Sequence, residues 1–134
     1  MTKKILAISA ILLAQQFITF PSHAQKTIKQ CESIKAEFKK QLLCLTSIKE
    51  SVERELQTWV NNHVFNLEDK ASKNNNNAPL KMFKRSHDNF ITFRQNNCRW
   101  QYLAIFPDKK ANAVFKKCFI LTTQDRIKQL SQIP

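Results

Sequence analysis

The sequence predicts a small all-α protein, a disulfide-linked bundle of three to four helices in one exported domain. Three observations lead to this prediction. Apolar residues recur at steps of three and four, glycine is absent from all 134 residues, and four cysteines follow an N-terminal export signal. Without glycine, tight hairpin turns and left-handed helix caps become costly, so β architectures are disfavoured and asparagine is the usual substitute.

Residues 1–24 have the order of a cleavable signal peptide. Two lysines supply a positive start, a short apolar run spans residues 5–13, and Ser22 and Ala24 are small residues at the positions that a signal peptidase reads. A membrane helix would need roughly 20 apolar residues, and this run is shorter. We therefore expect a mature chain of residues 25–134 that is periplasmic or secreted, forms a single domain and has no transmembrane segment.

Apolar spacing locates the first helices. A segment over about 27–43 has apolar residues at helical steps, and the clearest pattern follows over about 44–70. In that second segment one apolar stripe lies opposite a charged face, where glutamates and lysines are spaced for pairing at i,i+4. The stripe consists of Ile48, Val52, Leu56, Trp59, Val60, His63, Val64 and Leu67.

Residues 71–79 interrupt the pattern and are predicted to be an Asn-rich loop, because four consecutive asparagines precede Ala78 and Pro79. A helix over about 80–98 follows. Its stripe consists of Leu80, Phe83, His87, Phe90, Ile91 and Arg94, with Met82 and Phe93 beside it.

The segment 100–108 is rich in aromatic residues and is predicted to be irregular. Trp100 is expected to be buried beside a disulfide. Pro107 is expected to stop any helix there, and Asp108 to cap the next one. That last helix is predicted over about 109–130. Its expected inward residues are Val114, Cys118, Leu121, Ile127 and Leu130.

Four cysteines permit three pairings. In one straight helix Cys31 and Cys44 would lie about 20 Å apart, whereas a disulfide tolerates roughly 4.4–6.8 Å between Cα atoms. If these two pair, the chain must turn between them. Cys98 and Cys118 lie on either side of an expected turn, so local pairing is favoured, and the crossed arrangements stay open. A zinc site is disfavoured, because none of the cysteines forms a C-x-x-C pair and no histidine flanks them at ligand spacing. No metal or cofactor is therefore expected.

Charge is concentrated in the C-terminal half. Residues 25–69 are neutral overall, whereas residues 70–134 contain thirteen Lys and Arg against Asp88, Asp108 and Asp125. Such a positive field attracts anionic surfaces. Codon bias is the alternative explanation, because richness in Asn, Ile, Phe and Lys is typical of an AT-rich genome.

The C-terminal half also contains a spaced motif. An aromatic residue, an arginine and a cysteine recur at steps of four, and a second cysteine then precedes a Thr-x-x-Arg-x-x-x-Leu helix. The residues are Phe90, Arg94, Cys98, Cys118, Thr123, Arg126 and Leu130. This motif resembles the LprI-like family of small exported bacterial domains, some of which are described as lysozyme inhibitors. The resemblance covers most of residues 31–130, with Phe90 where the family normally has Trp.

The resemblance implies a binding protein that protects the cell wall from lysozyme. Animal lysozymes are basic with an acidic catalytic cleft, so inhibition would require a basic side chain inserted locally into that cleft. Arg99, Lys109 and Lys110 are the candidates. Arg94 and Arg126 are expected to stabilise the fold rather than touch a ligand.

We expect no enzymatic activity. Both histidines of the mature chain lie on helical faces that look apolar or interfacial, no glycine is available for a phosphate-binding loop or a nucleophile elbow, and the cysteines are expected to be oxidised.

The alternative function is binding of an anionic envelope polymer such as lipopolysaccharide, anionic lipid or nucleic acid. It requires two basic clusters to share one face, and its affinity would fall steeply with salt. The clusters are Lys81, Lys84 and Arg85, and Lys109, Lys110, Lys116 and Lys117. A third interpretation, an assembly partner in the envelope, would require an exposed apolar patch.

Overall fold

Four helices account for the fold. A computed structural model describes residues 26–34 and 37–133, and the predicted signal peptide at 1–24 lies outside them. All regular secondary structure of the described residues is helical, which confirms the predicted all-α, disulfide-linked bundle. The helices are α1 (Ile28–Glu32), α2 (Phe38–Asn74), α3 (Ala78–Ile105) and α4 (Ala111–Ser131).

The predicted first helix is divided in two, because the chain reverses before α2. Thr27 and Gln30 form a reciprocal capping box at the start of α1, which ends at Glu32. The long helix then begins before its predicted start at about 44. This reversal brings Cys31 and Cys44 together in a disulfide with 5.5 Å between Cα atoms. The chain thus turns between these cysteines, as local pairing required.

The connector between α2 and α3 is much shorter than the predicted loop at 71–79. Helix α2 continues through Asn74, only residues 75–77 connect, and α3 begins at Ala78. Asn75 takes the left-handed conformation that glycine would favour, with φ 50° and ψ 36°. The low helix propensity of the asparagines is only a weak preference. The packing of two antiparallel helices outweighs it and favours a short turn between them.

Helix α3 also extends further than predicted, to Ile105, so the segment expected to be irregular from residue 100 is mostly helical. Pro107 follows the end of the helix, as expected. The Oδ1 atom of Asp108 accepts a hydrogen bond from the Lys110 amide at 2.7 Å, and α4 begins at Ala111. Asp108 therefore orders the turn but does not occupy the N-cap of α4.

The core lies between α2 and α4, and α3 packs along both. Buried residues from α2 and α4 dominate it, including Leu45, Val52, Leu56, Ile120 and Leu130. The predicted inward position of Leu121 is wrong, because that side chain is 54% exposed. Phe119 and Ile120 are both buried and span the inward face of α4, and Leu121 lies a further turn of about 100° around the helix, so its side chain faces outward.

Candidate functional site

A buried polar cluster joins the three long helices at their midpoints. Arg94 on α3 donates to both carboxylate oxygens of Glu53 on α2, at 2.7 and 3.1 Å, and to the Thr123 hydroxyl on α4 at 2.9 Å. Thr123 in turn donates to the Phe119 carbonyl at 2.6 Å. The guanidinium also lies over the Phe119 ring, 3.8 Å from its centroid. Charge, hydrogen bonding and ring contact thus fix the relative rotation of the helices.

Other motif residues extend this cluster towards the C-terminal end of α4. The Arg126 guanidinium lies 5.5 Å from the centroid of Phe90 and donates to the Ser86 hydroxyl at 3.3 Å. The carbonyl of Leu130 accepts a hydrogen bond from His63 Nε2 at 2.9 Å. The motif residues therefore meet one another and the core.

The carboxylates of α2 were expected to pair along their own helix, and the structure corrects this expectation for two of them. Glu53 pairs with Arg94, and Glu68 pairs with Lys84 of α3 at 3.3 Å. Asp69 does pair within the helix, with Lys73. Sequence spacing does not identify cross-helix partners, because they depend on how far one helix is shifted along the other.

His87 is the titratable group whose environment changes its behaviour most clearly. Burial and then the Arg126 guanidinium lower the pKa of His87 below its ordinary value of 6.5. Its Nδ1 atom is buried and has no hydrogen-bond partner among the described residues, and its ring stacks on Phe90. Burial therefore favours the neutral form of His87, whose ring packs on Phe90.

The α3–α4 end, residues 99–110, presents a compact basic surface. Arg99, Lys109 and Lys110 are exposed, and within the described part of the chain none of them forms an ion pair. The Cys98–Cys118 disulfide, with 5.5 Å between Cα atoms, ties the two helices together beside this end. Lys109 and Lys110 are thus held on the ordered turn, Arg99 lies near the end of α3, and these exposed charges are available to a partner.

The two basic clusters of the sequence do not form one patch. The second cluster lies by the Cys98–Cys118 disulfide and the turn beyond it, and along α3 the axial rise from Arg85 to Cys98 is about 20 Å. Two members of the clusters are also engaged already, since Lys84 pairs with Glu68, and Lys117 pairs with Glu32 at 2.7 Å. The positive surface is therefore divided between the two ends of α3.

An exposed apolar stripe along the outer face of α3 was missed in the sequence. Trp100, expected to be buried, is 60% exposed, and Met82, Phe93 and Leu103 are exposed to a similar degree. Their seven- and three-residue steps could have indicated a second face, but the core stripe of the same helix masks that signal.

Comparison with family models, curated proteins and solved structures finds no match to this chain. Across residues 26–34 and 37–133, no His, Cys, Asp and Glu side chains form a group of three or more suited to holding a metal ion. No helix in this part of the chain is long and apolar enough to cross a membrane. The surfaces described above are therefore the basis for a functional proposal.

Proposed function

We propose that the protein is an exported, non-enzymatic binding protein of LprI-like type that inhibits lysozyme with its α3–α4 end. The observation that carries the proposal is the basic α3–α4 end, where Arg99 of α3 and Lys109 and Lys110 of the ordered turn have no ion-pair partners among the described residues. The family resemblance supplies the class of target, and the charge of this end suits an acidic catalytic cleft.

Preorganisation of the turn supports insertion into a cleft. The amide of Asp108 donates to the Ile105 carbonyl, and the Asp108 side chain accepts from the Lys110 amide. Tyr102 packs on Phe106 with ring centroids 5.7 Å apart. An ordered loop loses little conformational entropy on binding, so more of the interaction energy remains as affinity.

Net charge opposes long-range encounter, because both lysozyme and residues 70–134 are basic. Local charge complementarity at the cleft must therefore outweigh a general repulsion. This requirement distinguishes cleft inhibition from polyanion binding, in which every exposed lysine contributes and rising salt weakens the complex.

The test is a titration of the oxidised protein into a lysozyme assay on bacterial cell walls, at low and high salt. We expect stoichiometric protection that survives high salt. The double variant K109E/K110E should lose protection, and K70E/K81E should keep it. These variants change the net charge equally, but Lys70 and Lys81 are exposed residues at the opposite end of the bundle.

Absence of protection at any stoichiometry would refute lysozyme inhibition. Protection that disappears at high salt and weakens equally in both double variants would refute cleft insertion and favour the polyanion alternative. Circular dichroism of each variant establishes that the helices remain folded.

A further inference from the structure

The outer face of α3 carries a stripe, called here the α3 stripe, whose side chains are exposed within the described part of the chain. It consists of Met82, Asn89, Phe93, Asn96, Trp100 and Leu103, all exposed. The stripe extends about 32 Å along the helix axis. The Trp100 indole donates to the Asn97 side chain at 3.2 Å, which holds the ring in place on the surface. Exposed aromatic surface of this extent indicates an interaction site.

Four of the six stripe residues form two chemically matched pairs about the midpoint of the stripe. A two-fold axis between Thr92 and Phe93 would place Met82 against Leu103 of a second copy, and Asn89 against its Asn96. Met82 and Leu103 then meet as apolar side chains, and the amides of Asn89 and Asn96 can hydrogen-bond to each other. The two Phe93 rings lie on either side of the axis, and Trp100 lies opposite Arg85. A surface that complements itself in this way is what an isologous two-fold interface requires.

Charges beside the stripe follow the same symmetry. Asp88 is the one carboxylate of α3, and over the described residues neither it nor Arg99 forms an ion pair. In an antiparallel pair of helices equivalent edges face each other, so Asp88 of one copy lies near Arg99 of the other, twice by symmetry. Arg85 of one copy likewise lies near the Trp100 ring of the other, where a guanidinium binds favourably.

We propose that the protein forms a homodimer through antiparallel packing of the α3 stripes of two copies. Antiparallel helices packing at 8–10 Å would bury the exposed aromatic rings and satisfy the amides across the interface. The dimer contact uses Arg99 and leaves Lys109 and Lys110 outside it, so the dimer presents these two lysines on a turn at each of its opposite ends. The inference goes beyond lysozyme inhibition and does not depend on it.

Sedimentation equilibrium of the oxidised protein over a concentration series tests the proposal. We expect a reversible dimer, with F93E raising its Kd by at least about tenfold because a buried interface ring becomes a charge. The matched control is F65E. Phe65 is 71% exposed on α2, away from the α3 stripe, so the same substitution there should leave the Kd unchanged.

A charge-reversal cycle tests the orientation. D88R and R99D should each raise the Kd, and the double variant D88R/R99D should restore it to near the starting value. Cross-linking gives a second measure of the orientation of the two helices. Both native cysteine pairs are oxidised, so a cysteine introduced by mutation supplies the free thiol among the described residues. A short bismaleimide should join M82C to L103C in a mixture, and should not join M82C to itself.

A monomer throughout the concentration series would overturn the proposal. So would a dimer that F93E and F65E weaken equally, or one in which M82C cross-links to itself. Since both phenylalanines are exposed, circular dichroism is expected to show unchanged helix content in both variants.

Discussion

Replacing Glu53 with alanine should destabilise the protein more than replacing its partner Arg94 with methionine. The Arg94 side chain is 5% exposed, whereas that of Glu53 is 44% exposed. Glu53→Ala therefore leaves a buried guanidinium with the Thr123 hydroxyl as its remaining side-chain acceptor among the described residues. Arg94→Met leaves a carboxylate that water can solvate.

The magnitudes follow from that asymmetry. Removing one partner of a fully buried ion pair costs about 3–5 kcal/mol. Because Glu53 is half exposed, solvent screening reduces this, and we expect about 2–3 kcal/mol for Glu53→Ala. Arg94→Met should cost about 1–2 kcal/mol, since methionine fills much of the space and the hydroxyl of Thr123 keeps its bond to the Phe119 carbonyl. The double variant should cost about as much as Arg94→Met, because removing both partners leaves no buried charge.

Urea unfolding of the oxidised protein, followed by far-ultraviolet circular dichroism, measures these free energies of unfolding. Glu50→Ala is the control. Glu50 is exposed on α2, and its removal should change the stability by less than about 0.5 kcal/mol. A larger loss in Arg94→Met than in Glu53→Ala, or costs that add in the double variant, would refute the assignment of a buried guanidinium that depends on its carboxylate.

Three further predictions concern a turn, a disulfide and a pH dependence. Asn75→Ala should cost about 1–2 kcal/mol in urea unfolding because φ there is positive, and Asn75→Gly should cost nothing; equal losses would contradict the left-handed turn. Removing the Cys98–Cys118 disulfide by double alanine substitution should cost about 3 kcal/mol, and an unchanged urea midpoint would contradict that pairing. Because the folded-state pKa of His87 is lowered, the unfolded chain takes up this proton first as the pH falls. The contribution of His87 to the free energy of unfolding is therefore fully present above pH 6.5, and it is lost as the pH falls from 6.5 towards the lowered pKa. The variant His87→Gln should remove this loss when the free energy of unfolding is measured across that pH range.

Local chemistry in the sequence was sufficient to predict the all-α class, most of the long helices and the local disulfide pairing, but not the helix ends. Helical periodicity depends on residues three and four apart, so the stripe from Ile48 to Leu67 predicted most of α2. The absence of glycine predicted asparagine at a left-handed cap, and Asn75 occupies one. Local pairing was favoured, and chain reach required a turn between Cys31 and Cys44 if they paired; the structure has both the disulfide and the turn.

Partners distant in sequence depended on the packed bundle. Glu53 resembles any exposed glutamate of a charged helix face until the axial position of α3 brings Arg94 opposite to it. In the sequence, Trp100 and Phe93 resemble core residues. In the structure the rotation of α3 about its axis places both side chains on the outer face. Local spacing encodes which residues share a helical face. Rotation and shift between helices arise from the packing of the whole core, so they decided which face is buried and which is left for a partner.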